Sequence, residues 1–456
     1  MGELVPKKMP LFSNHLPLLL ALAATNTIHA QTKGYVQNPN VDYKLFPGTS
    51  TVVYADHDGC TGAPHNPNLK WNIWTDNVRT TESVDGQRWS GDRIAIEPNR
   101  AVKIDSKGET FVFVGDTKNE LAACDPEVYL WNGTYYMQYT GASDSGGTIV
   151  YIARSSSLNG PWEKYSTDGT WKVNSESPKP ILRGSYPADR MLRYYGYAGA
   201  NCYNGNVGGY YGLGQTSVVV RNGNINVWYS DDRSYPAPSL GTLKFLTSTS
   251  PTSLNDAAAK LPTFTRANGT RFDQTYNLLK SPLDTLGYFN GEPVALMAWT
   301  FQSMVVRWSS QNNKYYLHLL ANQGESPTWL VRWESTDGFT WTNLKFIAKV
   351  NATAHNVGIT GDASGIINGD IAEVYYSNTM KTTDRDWNIY SLKYSLTTGK
   401  LTQSPTLALN VPQFRGSNRV DYPGSYGYAP SIIKQNGKYS MFYCADPGIN
   451  SATPKP

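Results

Sequence analysis

The chain has 456 residues with 17% charged side chains, a net charge of +4 and 12% aromatic residues, Tyr alone numbering 31. A charge balance this slight excludes a polybasic nucleic-acid footprint, and no run of like charges marks a tail or a membrane-surface patch. The length suits one large domain or two ordinary ones, and 40 Gly with 27 Pro suit many turns and few helices.

At the N-terminus, Lys7 and Lys8 precede an apolar run from Leu16 to Ala24, and Ala30 offers a small residue before Gln31. This is the pattern of an export signal over residues 1–30, and the run is short for a bilayer span. No later stretch is apolar enough to cross a membrane, so a secreted or periplasmic protein with no membrane partner is expected. Cys60, Cys124, Cys202 and Cys444 fit an oxidising compartment. Three pairings are open. Cys124 and Cys444 are expected near one another, since one starts a strand and the other ends one at the same mouth. No CxxC or paired His suggests a zinc site.

Five later segments carry one pattern: an apolar run, a tight turn, and a second run ending in aromatic residues. They are 125–141, 215–232, 301–320, 362–378 and 429–446. Their turns are Asn132-Gly133, Asn222-Gly223, Asn312-Asn313, Asn368-Gly369 and Asn436-Gly437, residue types that accept the positive φ of a type I′ hairpin. Segments 148–162, 240–254, 328–341 and 387–401 alternate as outer strands after the first four hairpins. The fifth has no such segment behind it. Residues 71–89 supply it instead: Ser83-Val84-Asp85-Gly86 with Trp89 repeats Ser335-Thr336-Asp337-Gly338 with Trp341. The predicted fold is therefore all-β, a five-bladed β-propeller over residues 45–446, closed by N-terminal strands that complete the last blade, with a tail at 447–456.

Aligning the hairpins places Asp125, Gln215, Phe301, Asp362 and Ala429 in one column at the mouth of the axis, with Asp231, Asp232, Asn378 and Asp446 at the returning strand ends. Crowded carboxylates raise one another's pKa, which lets one give a proton while another takes one. Glycoside hydrolysis needs such a pair. Asp125, Asp362 and Glu292, the last in the loop before the third blade, are the candidate catalytic carboxylates. Gln215, Phe301, Asp232 and Arg190 are the candidate substrate contacts. Each carboxylate has a plainer reading as a strand cap, a turn residue or a loop start. The Asp85 and Asp337 turns are read as structural. No cofactor is expected beyond the option of a structural calcium ion at the axis, which His355 would face; a lone His is more often structural. The chain is expected to act as a monomer on carbohydrate, without nucleic acid.

Asp125-Pro126-Glu127-Val128 followed by Asn-Gly-Thr-Tyr-Tyr resembles the inner hairpin of the five-bladed propeller glycosidases of family 43, the arabinosidase and xylosidase family. Ala153 to Ser157 with Gly160-Pro161-Trp162-Glu163, and Tyr428-Ala429-Pro430-Ser431, resemble its other strands. The resemblance implies a hydrolase with an Asp base, an Asp that tunes pKa and a Glu acid, and it maps the base onto Asp125. It departs at Ser431, where the family has Asp, and at Gln215-Thr216 and Phe301-Gln302, where a Glu-x-Pro is expected. A carbohydrate-binding propeller without catalysis is the alternative. A sialidase-like enzyme is a second, prompted by Ser-x-Asp-Gly-x-x-Trp and by Arg190, Arg193 and Arg233.

Overall fold

A computed structural model describes residues 49–53, 70–74, 77–97, 102–104, 111–113, 123–142, 148–173, 175, 177–183, 212–232, 242–272, 274, 285–295, 301, 304–321, 328–350, 354–379, 387–411 and 427–445. The export signal, the C-terminal tail, Cys60, Cys202 and Arg190 lie outside the described residues.

The fold is all-β, a propeller arrangement of antiparallel sheets. Four large sheets form among the described residues, where five separate blades were expected. One of them, of eight strands, holds two antiparallel runs. The first run is Cys124–Trp131, Thr134–Ala142, Thr148–Ser155, Glu163–Tyr165 and Trp171–Lys172; the second is Gly212–Arg221, Asn224–Asp232 and Thr242–Ser248. A single parallel pair, Gly212 with Thr148, joins them. The other large sheets are built on Val305–Ser309, on Ala354–Ile359 and on Gly427–Gln435 as innermost strands.

In the last sheet, Lys438–Ala445 pairs with Asn77–Ser83, which pairs with Trp89–Ile96. N-terminal strands thus complete the sheet begun by the C-terminal hairpin. Residues 71–74, read as part of that outer strand, instead pair with Thr49–Val53 in a small separate sheet. Cys124 is disulfide-bonded to Cys444, tying the first inner strand to the last hairpin.

Aromatic side chains fill the spaces between sheets. Trp162 meets Phe442 edge-on at 5.7 Å between ring centres, and Trp228 packs between Phe245 and Tyr315. The Asp85 and Asp337 turns are structural, as expected. Asp85 Oδ1 accepts from the Gln87 and Arg88 amides, and Asp337 Oδ1 from those of Phe339 and Thr340. Each turn presents a glycine carbonyl to the neighbouring sheet: Gly86 accepts from Tyr375 Oη, and Gly338 from Trp228 Nε1.

The innermost strands converge on one ion pair. Arg307 Nη1 lies 2.7 Å from Glu127 Oε1, both side chains 2% exposed. Glu127 also accepts from the Val218 amide at 2.9 Å and from Ser431 Oγ at 2.9 Å. Arg307 donates to the Ile359 carbonyl at 3.0 Å. One carboxylate and one guanidinium therefore link the inner strands that contain Glu127, Val218, Arg307, Ile359 and Ser431. The strands can approach so closely because Gly358 has no side chain: a Cβ there would lie 1.9 Å from the Pro430 carbonyl oxygen.

Removing one member of a buried, hydrogen-bonded ion pair costs about 3–5 kcal/mol, because the partner stays charged and dry. Arg307→Met is expected to lose stability of that order in urea unfolding, and Glu127→Leu combined with it to recover a large part. Equal losses in the single and double variants would show that the pair does not hold the axis. Cys444→Ser should cost about 2–5 kcal/mol, and peptide mapping that joins Cys124 to Cys60 or Cys202 would overturn the pairing.

Candidate functional site

The inner strands can be aligned by a shared set of backbone bonds at one end of the axis. The amides of Leu130, Val220 and Trp308 donate in turn to the carbonyls of Ala363, Ser364 and Gly365. The Lys434 amide donates to the Gly361 carbonyl, which completes the ring. Five residues back along each strand, at the opposite end, stand Asp125, Gln215, Asn356 and Ala429; the third-strand equivalent, Ser303, lies outside the described residues.

Each of these four positions sits in a β-bulge. Register shifts fall between Cys124 and Glu127, Leu213 and Thr216, His355 and Val357, and Tyr428 and Ser431. Asp125, Asn356 and Ala429 carry positive φ, at 47°, 45° and 52°. The repeat makes this backbone a property of the scaffold. Bulges re-aim side chains and gather at barrel rims and beside active sites. Asp125 is the position in this set that carries a charge.

Asp125 is 8% exposed, and Thr140 Oγ1 donates to its Oδ2 at 2.7 Å. Burial pushes its carboxyl up to about 6, only partly offset by the Thr140 hydroxyl. Across the mouth, His355 Nδ1 bonds Asn356 Oδ1, and Asn356 Nδ2 donates to Gln215 Oε1 at 3.3 Å. The Tyr428 ring meets His355 edge-on. Burial lowers the His355 imidazole to about 4, so it is neutral at neutral pH.

The other candidates lie elsewhere. Asp362 belongs to the connector after the true inner strand Ala354–Ile359, which pairs with Ile371–Thr379. Its Oδ1 accepts from the Ser364 and Ile366 amides, an Asx turn. That turn lies beside Leu130, about five residues of extended strand, or ~17 Å, from Asp125. Glu292 opens the strand Glu292–Ala295 of a hairpin turned by Asn290-Gly291. It pairs at 3.4 Å with Lys349 on Thr340–Val350, three strands out from Val305–Ser309 in the same sheet. Phe301 is fully buried and packs on Phe264, so it is core and not a substrate contact. Gln215 is at the mouth. Asp232 ends the strand Asn224–Asp232, at the mouth end, while its neighbour Asp231 is buried and pairs with Lys244 at 2.7 Å.

Asn356 is the mouth residue that the sequence alignment missed. The available signal was Asn356 itself, a residue type that tolerates positive φ, just ahead of Val357–Ile359. At the axis Glu127 is bound by Arg307, and no group of three His, Cys, Asp or Glu stands together among the described residues.

No protein-family model and no curated protein matches this chain. Solved structures overlap it loosely. A Parabacteroides distasonis protein assigned provisionally as a glycoside hydrolase is 12% identical, covering 77% of this chain and 93% of its own, with a TM-score of 0.44. A glycosyl hydrolase from Bacteroides ovatus is 12% identical, covering 77% and 91%, at 0.41. A thermostable family-43 glycoside hydrolase is 12% identical, covering 70% and 88%, at 0.38. Overlaps at this level leave activity to be argued from the chain's own residues.

The raised carboxyl of Asp125 has a thermodynamic signature. An unfolded Asp titrates near ~3.9. Between there and about 6 the folded chain holds a proton that the unfolded chain has lost, so stability falls as pH rises through that window and levels above it. Asp125→Asn removes this term. The melting temperature of the variant relative to wild type should therefore rise between about pH 4 and about pH 7. A difference that does not change with pH would place Asp125 in contact with water.

Proposed function

We propose that the chain is an exported glycoside hydrolase, acting as a monomer on polysaccharide or oligosaccharide, with Asp125 as the base that activates water. The observation that carries this is Asp125 itself. It is a buried carboxylate with its pKa moved toward neutrality, aimed by a bulge at the mouth end of an innermost strand and held by one hydroxyl. A base poised near the working pH combines the correct protonation state with a useful driving force. We further propose that the eight-stranded sheet is two blades, giving five. The single pair Gly212–Thr148 between its two antiparallel runs supports that count, as does the recurrence of the bulge.

Glycoside hydrolysis needs a second carboxylate, roughly 5–9.5 Å from the first. Glu127 and Asp231 are held by Arg307 and Lys244. Asp232, whose backbone ends the strand beside the second inner strand, is the candidate acid. The commitment of Glu127 and Asp231 to cations also favours a second reading, a propeller that binds carbohydrate without cleaving it.

Screening on aryl glycosides and polysaccharides decides between the two. Asp125→Asn is expected to fold and to lose about 10²–10⁴ in rate, with Asp232→Asn losing a comparable factor. Full activity in Asp125→Asn would remove the assignment. Wild-type protein that binds glycans and never cleaves them would establish the second reading.

A further inference from the structure

We propose that Gln215 is the specificity-determining hydrogen-bond donor of the mouth, with its direction fixed by Asn356 and His355; this rests on the carbohydrate reading above. Gln215 is 1% exposed and Asn356 2% exposed, and both stand at bulges on inner strands, with their side chains in hydrogen-bond contact. Their order is set by chemistry. Asn356 Oδ1 can only accept, so the hydrogen it shares with His355 resides on Nδ1. Asn356 Nδ2 then donates to Gln215 Oε1 at 3.3 Å. With its oxygen engaged, Gln215 keeps Nε2 as a donor, at the bulge that corresponds to that of Asp125 on another inner strand. Donor and carboxylate together match a sugar hydroxyl, whose oxygen accepts from Gln215 while a neighbouring hydroxyl or water donates to Asp125.

Asn356 acts through Gln215 and is a positioning residue. Its left-handed backbone, at φ 45°, suits Asn and Asp and disfavours most other side chains. Asn356→Asp still accepts from His355 but cannot donate onward. Gln215 is then free to turn its nitrogen toward residue 356 and its oxygen toward the mouth. Gln215→Glu replaces the donor with an acceptor, and Gln215→Met removes both polar atoms at similar volume.

The test is calorimetric titration of Asp125→Asn protein, and of the three substitutions in that background, with xylo-, arabino- and fructo-oligosaccharides. Each substitution is expected to weaken the tightest ligand about tenfold, the loss of one well-made hydrogen bond. Asn356→Asp combined with Gln215→Met should weaken it no further than Gln215→Met alone. In the active protein the same changes should raise KM and leave kcat. Affinity unchanged by Gln215→Met, or losses that add, would overturn the relay while leaving the carbohydrate reading intact. Absence of binding by every oligosaccharide would overturn both.

Discussion

The structure depends on one buried charge pair. The innermost strands bury Glu127 and Arg307 to 2% exposure, so polar groups there must satisfy one another. Glu127 and Arg307 do this for all the inner strands at once. The arrangement has a direct consequence for the site. The Asp-Pro-Glu motif offers two carboxylates two residues apart, and a regular strand would point both the same way. The bulge between Cys124 and Glu127 breaks that alternation. Glu127 goes to the axis as a structural anion, and Asp125 goes to the mouth. A motif that reads as a catalytic pair is thus divided between the axis and the mouth.

How much of this was legible depended on which signals were local. Asn132-Gly133, Asn222-Gly223 and Asn436-Gly437 are true hairpin turns, with positive φ at each of their residues. The closure by Asn77–Ser83 was readable because the Ser83–Trp89 turn repeats that of Ser335–Trp341. Asn368-Gly369 misled for a physical reason. It lies in the connector between Ala354–Ile359 and Ile371–Thr379, where Ile366–Ile367 forms a parallel pair with Trp308 and Ser309. A connector that borrows strand structure from a neighbouring sheet looks like a strand in sequence. That six-residue offset moved Asp362 into the mouth column in place of Asn356. Phe301 was misplaced too: it is fully buried against Phe264. Asn290-Gly291 marked a hairpin inside a segment read as loop, and with it Glu292 moved to the outer rim. The engagement of Glu127 by Arg307 was not legible at all, since nothing local links residues 180 apart in sequence.

The connector itself explains why the two ends of the axis differ. Its carbonyls at 363, 364 and 365 accept three inner-strand amides in succession, and Gly361 engages the fifth inner strand. Gly365 permits the close passage: it has φ 77°, and a Cβ there would lie 2.6 Å from the Val218 carbonyl oxygen. Backbone bonds of this kind carry no side-chain chemistry. They fill one end of the axis with peptide groups, and Asp362 spends its carboxylate on turning the chain there.

The opposite end is built on the contrary principle. Its bulges leave the ladder locally unpaired, and its polar side chains are buried where burial is costly. Asp125 is held at a pKa that destabilises the folded chain at neutral pH, and His355 is kept neutral by the same desolvation. A scaffold stapled by the Glu127–Arg307 pair, the connector and the Cys124–Cys444 bond can tolerate such costs at one rim. Stability concentrated at the axis and its closed end is what permits a strained, partly desolvated polar set at the mouth. That asymmetry is the physical reason why the proposed site, with Asp125 at its centre, is placed at this end of the propeller.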